Sequence, residues 1–229
     1  MISAIVPCYN EAENILSFAV RLDRALWRLH EAYEMIFMVG GTDNTYSILH
    51  EWRRNRSNIW IIYDKDRGLG TAIKKGLSFV HRDSTRILTM DSDLQQLPEE
   101  IHKLTEQSGD CIIGGKRTDS RSFTKKLVSK MTNWFVGKVY HTGISDHSSN
   151  FRVYDREAIR AVQSQLVSKD YQIMPEILIR MKRAGYGRFA QVNVTFAKRA
   201  GGKSKMRMLH VAIGYIRLIY ALSLSRVDE

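Results

Sequence analysis

Asp91 and Asp93 stand two residues apart in TMDSDLQQLPEE (89–100), where the apolar run RILTM (86–90) ends. On an extended backbone, residues two apart point to the same side, so these carboxylates address one point in space. Gln95, two residues further on, offers a neutral oxygen in the same phase. Hard oxygen donors of this kind suit Mg2+ or Mn2+, ions that keep positions for water and for a diphosphate. The same residue types also end strands and open turns, and Pro98 marks a helix start just beyond. A metal site and a polar turn both fit this stretch alone.

The elements that carry the pair narrow the choice. A short apolar run, Ile2 to Val6, closes at Pro7 and leads into an amphipathic stretch from Glu11 to about His30. The pattern repeats: EMIFMV (34–39) precedes TDNTYSILHEW, NIWIIY precedes LGTAIKKGLSFV, and RILTM precedes LPEEIHKLTEQ. DCIIGG (110–115) predicts a fifth strand. Apolar runs without alternation mark buried parallel strands, and the intervening helices are the crossovers such strands need. The fold class is α/β of Rossmann-like type. Ligands of such sheets sit beyond the carboxyl ends of the strands. Those ends are 7–11, 40–44, 64–70 and 91–95, each polar or glycine-rich. Within 42–45 (TDNT), Asp43 reads first as a helix cap. DRGLG (66–70) looks like a phosphate cradle, a weak signal by itself.

The 229 residues suit one large domain, or one with a small appendage, and 44% hydrophobic residues with three prolines describe a packed globule. Lys and Arg number 35 against 24 Asp and Glu, so the chain carries 35 − 24 = +11. That balance favours anionic partners: nucleotides, phosphorylated lipids or an acidic membrane surface. Basic pairs such as Arg53-Arg54, Lys74-Lys75 and Lys198-Arg199 are too short for a nucleic-acid arm, so nucleic acid is not an expected partner. Cys8 and Cys111 lie far apart with no CxxC spacing, which predicts neither a zinc site nor a disulfide and favours a reducing, cytoplasmic setting. The N-terminal MISAIVPCYNEAENI lacks a basic start and reads as the first strand rather than a signal peptide. MRMLHVAIGYIRLIYALSLS (206–225) is apolar nearly all round but broken by His210, Gly214 and Arg217. It is too short and polar for a membrane span, and fits an interfacial helix or one packed on a second copy of the chain, with a buried terminal helix as the alternative.

VPCYNEAENI (6–15), DRGLGTAIKKGL (66–77), MDSDLQQLPEEI (90–101) and DHSSNFRVYDR (146–156) resemble successive motifs of family 2 glycosyltransferases. Arg199, Gly202, Ser204 and Lys205, in the spacing R-x-x-G-x-S-K, narrow the resemblance to dolichol-phosphate mannose synthases and related polyprenyl-phosphate glycosyltransferases. The resemblance implies a GT-A fold with a mixed, mostly parallel sheet over residues 1–205, followed by a C-terminal apolar helix over 206–229. It implies a nucleotide-sugar donor of GDP-mannose or UDP-glucose type, a polyprenyl or dolichyl phosphate acceptor, and inversion at the anomeric carbon. Carried onto this sequence, Pro7, Tyr9, Glu11, Asp66, Gly68 and Asp91 line the nucleotide pocket. Asp91, Asp93 and Gln95 hold Mg2+ or Mn2+, and Arg199, Ser204 and Lys205 form a cationic lid, Arg199 counting with the two aspartates as catalytic. Lys116, Arg117, Lys125 or Lys126, and Ser129 are the acceptor-phosphate candidates, with Asn133 one helical turn from Ser129. The expected location is the cytoplasmic face of a membrane, as a peripheral protein.

Two departures stand out. Where the family carries an acidic pair, as in VDDGSTDNT, this chain reads FMVGGTDNT, with Met38 and Val39 for the aspartates and Gly41 for the serine. A base that loses a carboxylate partner is read by backbone or other side chains, or poorly. Asn150 replaces the glycine of the family's SGF, and Asn tolerates left-handed backbone angles. An anionic phosphate acceptor needs positioning rather than a general base, whereas a sugar hydroxyl needs one. Asp146 is the carboxylate available for that role, or else it orders the DHSSNFR loop. The alternatives to lipid-phosphate transfer are therefore transfer to a saccharide hydroxyl and a non-catalytic nucleotide-binding relative.

Overall fold

The computed structural model describes residues 1–65, 68–115 and 143–197, and in the C-terminal stretch 213–215, 217–218 and 222. Five strands fall where apolar runs predict them: β1 (Ile2–Tyr9), β2 (Tyr33–Gly40), β3 (Ile59–Tyr63), β4 (Arg86–Thr89) and β5 (Cys111–Gly115). Two more, β6 (Arg152–Asp155) and β7 (Phe189–Asn193), complete a seven-stranded sheet of order β3-β2-β1-β4-β6-β5-β7. Pairing is parallel throughout except that β6 runs antiparallel to both β4 and β5. The sheet is thus mixed and mostly parallel.

Helices α1 (Ile15–Trp27), α2 (Thr45–Arg53), α3 (Leu69–Leu77) and α4 (Ile101–Thr105) follow β1 to β4; α5 (Arg156–Arg160) and α6 (Ile173–Arg183) follow β6. Helix α1 buries Ile15, Phe18, Ala19, Leu22 and Leu26, the three-and-four spacing of one helical face. Strand residues divide between two cores. Ile2, Ala4, Val6, Cys8, Met35, Phe37 and Val39 face α1, whereas Ile5, Ile36 and Met38 face α3 and α6. Each such side chain contributes about 1.5–3 kcal/mol by leaving water. The result is helices on both faces of one sheet.

Strand β1 runs on to Tyr9 instead of closing at Pro7. Proline lacks a ladder donor and is confined to strand positions with a free side. Pro7 meets that condition, because β4 pairs with β1 only over Ile2 to Ile5, leaving β2 as the neighbour of Pro7. Helix α1 likewise starts at Ile15 rather than Glu11, after a turn in which Asn14 and Ile15 both donate to the Glu11 carbonyl.

Among the described residues no helix is long and apolar enough to cross a membrane. Of the C-terminal stretch, Leu218 and Leu222 are buried against Ile179 of α6, and Arg183 donates to the Leu222 carbonyl at 3.1 Å. The buried-helix alternative therefore holds at those two positions, while Ile213 stays exposed. Cys8 and Cys111 are buried and form no disulfide among the described residues.

Candidate active site

The carboxyl ends of β1, β2, β3, β4, β5 and β7 lie along one edge of the sheet, and the start of antiparallel β6 joins them there. Tyr9 ends β1 against Gly40, where a Cβ would sit 3.3 Å from the tyrosine ring and from the Asp64 carbonyl. Asn10, at φ 52°, accepts from the N–H groups of Thr42 and Asp43 at 2.7 and 3.3 Å. Gly41, at φ +102°, has no room for a side chain, since its Cβ would strike the Asn10 carboxamide. Asp43 accepts from the Thr45 N–H and hydroxyl at the start of α2, and from Ala12 N–H. The Thr45 hydroxyl in turn accepts from Glu11 N–H at 2.8 Å. Asp43 thus sits one residue before the N-cap position, Asn44, and ties two loops together while accepting from the first N–H of α2.

Met38 and Val39 are each 2% exposed, one in each core. Both side chains are packed inside the sheet's two hydrophobic cores.

The acidic motif leaves β4 as a bend rather than an extended strand. Leu94 has φ +60°, a left-handed angle rare for a residue with a side chain, so the alternation that aligned Asp91, Asp93 and Gln95 does not apply. Other bonds shape the motif. Ser92 Oγ donates to the Pro7 carbonyl at 3.1 Å, tying it to β1, and Asp93 Oδ1 accepts from Gln95 N–H at 3.1 Å. Gln96, not Gln95, serves Asp91: its Oε1 accepts from Asp91 N–H at 3.1 Å and its Nε2 approaches Asp91 Oδ2 at 3.5 Å. From the far side, Phe196 bridges to Gln96 and Ala197 N–H donates to the Gln95 carbonyl at 2.8 Å.

Asn150 explains its own departure from glycine. Its backbone is not left-handed, so conformational tolerance is not the reason. Its Nδ2 donates to Asp91 Oδ1 at 2.9 Å, and its main-chain carbonyl accepts from Thr89 Oγ1 at 2.7 Å. Asn150 is 2% exposed, and its Oδ1 has no hydrogen-bond partner among the described residues.

Asp91 is partly exposed and Asp93 is 7% exposed. Among the described residues no three His, Cys, Asp or Glu gather as a metal cluster. A cation here would rest on two carboxylates, with its other positions left to diphosphate and water, the usual arrangement for Mg2+. The oxygen-only donor set and the orphaned buried Asn150 Oδ1 beside it fit such an ion.

Asp146 accepts from the N–H and hydroxyl of Ser148, while Gln191 Oε1 accepts from the N–H groups of Ser145 and Asp146. It therefore orders the loop. Beneath that loop the fully buried Arg152 donates to the carbonyls of Ser149, His147 and Met174. Burial, with the nearby Arg152 cation adding to it, pushes His147 down to about 4. Burial pushes Cys111 and Tyr154 up to about 12.

Gly68 caps α3 at φ +121°, and Cβ atoms at Gly68 and Gly70 would strike the carbonyls of Lys169 and Ser168. These glycines let the loop before α6 lie on the start of α3. Asp64 is paired with Lys75 at 3.0 Å. Asp66, Lys116, Arg117, Lys125, Lys126, Ser129, Asn133, Arg199, Ser204 and Lys205 lie outside the described residues.

The model of the family described as glycosyl transferase family 2 matches residues 3–162. An undecaprenyl-phosphate 4-deoxy-4-formamido-L-arabinose transferase of Proteus mirabilis is 30% identical over 96% of this chain and 66% of its own. A dolichol-phosphate mannosyltransferase of Pyrococcus furiosus is 31% identical over 96% of this chain and 63% of its own. This chain thus spans just under two thirds of those relatives' length. Among solved structures, glucosyl-3-phosphoglycerate synthase of Mycobacterium tuberculosis, with Mn2+, UDP and phosphoglyceric acid, superposes at a TM-score of 0.72 with 18% identity, covering 99% of this chain and 78% of that one. Mannosyl-3-phosphoglycerate synthase of Rubrobacter xylanophilus superposes at 0.72 with 15% identity, over 100% and 75%. These likenesses establish the GT-A fold.

Proposed function

Because the chain belongs to glycosyl transferase family 2, we propose that it moves a hexose from a nucleotide sugar to a polyprenyl phosphate, with Mg2+ or Mn2+ held by Asp91 and Asp93. The observation that carries this reading is the acidic motif itself, fixed at the carboxyl edge of the sheet by bonds to β1, to Asn150 just before β6 and to the segment after β7. The names of the two curated relatives, each matched over 96% of this chain, support a lipid-phosphate acceptor. A divalent cation supplies charge neutralisation on the departing nucleoside diphosphate.

The chain's own residues bind and orient. An acceptor phosphate oxygen bonds to the anomeric carbon as the bond to the diphosphate breaks, which inverts the centre. The attacking oxygen is already anionic, so no general base is needed. The use of Asp146 in its own loop agrees with that chemistry. Ala197 is bonded beside the motif, and Arg199 follows two residues later, within roughly 7 Å of chain. That short reach supports Arg199, Ser204 and Lys205 as a cationic lid over the phosphates. Lys116, Arg117, Lys125 and Ser129 remain the acceptor-phosphate residues of this proposal, and Pro7, Tyr9, Glu11, Asp66 and Gly68 the nucleotide side.

A lipid acceptor puts the work at a membrane surface, here assigned to the cytoplasmic face. Residues 1–205 form the catalytic domain, and 206–229 a helix whose remaining apolar side meets the membrane or a second copy. With Met38 and Val39 buried, the base is read by backbone and by the Tyr9 side, so base selectivity should be weak.

The test is transfer to polyprenyl phosphate with Mn2+ across GDP- and UDP-sugars. Turnover requires metal, and Asp93→Ala lowers it by about 100-fold or more. Absence of turnover and of nucleotide-dependent thermal shift with every donor would sink the proposal.

A further inference from the structure

Asn150 joins two observations that family membership does not explain. Its Nδ2 holds Asp91 Oδ1 at 2.9 Å, and its Oδ1 is buried without a partner among the described residues. Reversing the carboxamide would set two acceptors against each other, so the bond to Asp91 fixes which atom is left over. A buried acceptor without a partner costs about 1–3 kcal/mol. A neutral donor adds no charge to the carboxylate it holds and takes away some of its rotational freedom. Asn150 is itself rigid, because its carbonyl is engaged by Thr89 at the end of β4 and the next residue begins the approach to β6.

We propose that Asn150 is a positioning residue that fixes the Asp91 carboxylate for the divalent cation, and that its Oδ1 accepts a hydrogen bond from water bound to that cation. The inference rests on the metal reading of Asp91 and Asp93. It explains why a carboxamide stands where a glycine satisfies the backbone. It also assigns the orphaned oxygen a donor of the right kind, since Mg2+ and Mn2+ keep waters whose protons are strong donors. Residues that orient metal ligands in this way commonly set affinity by tenfold to a hundredfold.

The experiment titrates Mn2+ into the protein with saturating GDP or UDP and follows the free ion by electron paramagnetic resonance. Asn150→Ala is expected to weaken Mn2+ binding by about tenfold or more. Its metal-free melting temperature and its metal-free nucleotide affinity should stay near the wild-type values. In turnover, the Mn2+ concentration for half-maximal rate rises while KM for the acceptor does not. Should the alanine variant fail to fold, Asn150→Gly carries the same test, since glycine fits the backbone here. Mn2+ binding by wild type that both variants leave unchanged overturns the inference alone. No Mn2+ uptake by wild type overturns the metal reading, and the inference with it.

Discussion

His147 is buried beside the Arg152 guanidinium, and its imidazole is held well below the ordinary value, at about 4 against 6.5. A base harder to protonate when folded contributes stability in full above the unfolded value, which is lost progressively as pH falls from 6.5 towards 4. The loss is on the order of 2–3 kcal/mol. Urea midpoints of wild type and His147→Gln between pH 7 and pH 4 should therefore converge or cross on the acid side, and parallel curves would refute the assignment. At this scale the sequence was partly legible. Asp91, Asp93 and Asp43 stand out by type and place, and the structure gives each a defined partner. Gln96 did not stand out, because a spacing rule for extended chain selects Gln95, whereas the left-handed Leu94 turns the chain and swings Gln96 onto Asp91. Gly41 looked like a loss of the family's serine. In place it is the residue that leaves room for the Asn10 side chain.

Among the elements, the start of α3 depends on a close approach rather than on a side-chain cap. A methyl group at Gly70 would lie 2.5 Å from the Ser168 carbonyl, a backbone atom that cannot swing aside. The loop bearing Ser168 is fixed too, because the buried Glu176 accepts from Val167 and Ser168 N–H groups while paired with Arg180 at 2.8 Å. Gly70→Ala should cost about 1–3 kcal/mol in urea unfolding, and an unchanged midpoint would show that the loop yields. Five strands and four helices were readable because each is a local alternation of apolar run and amphipathic stretch. Strands β6 and β7 were not. Arg152 in β6 is charged yet fully buried, satisfied by the carbonyls of His147 and Ser149 in the preceding loop and of Met174 in α6, and no apolar pattern announces such a partner set. In β7, Phe189–Asn193, no residue is fully buried and Gln191 interrupts the apolar run.

For the whole molecule, the net charge of +11 acts over distances that single contacts do not. Adsorption to vesicles containing acidic lipid should be strong at low salt. Raising salt from about 0.1 M to about 1 M shortens the screening length from about 10 Å to about 3 Å. Co-sedimentation should then fall by more than half, and salt-insensitive binding would instead assign attachment to the apolar side of the terminal helix. The reversed direction of β6 has a consequence for how such molecules diversify. The chain leaves the sheet after Gly115 and returns through Asn150 at the same edge. Gly115 and Asn150 thus both lie at the edge that carries Asp91. Under the proposed function, changes in the segment between them would alter acceptor choice while leaving β1 to β4 as they are.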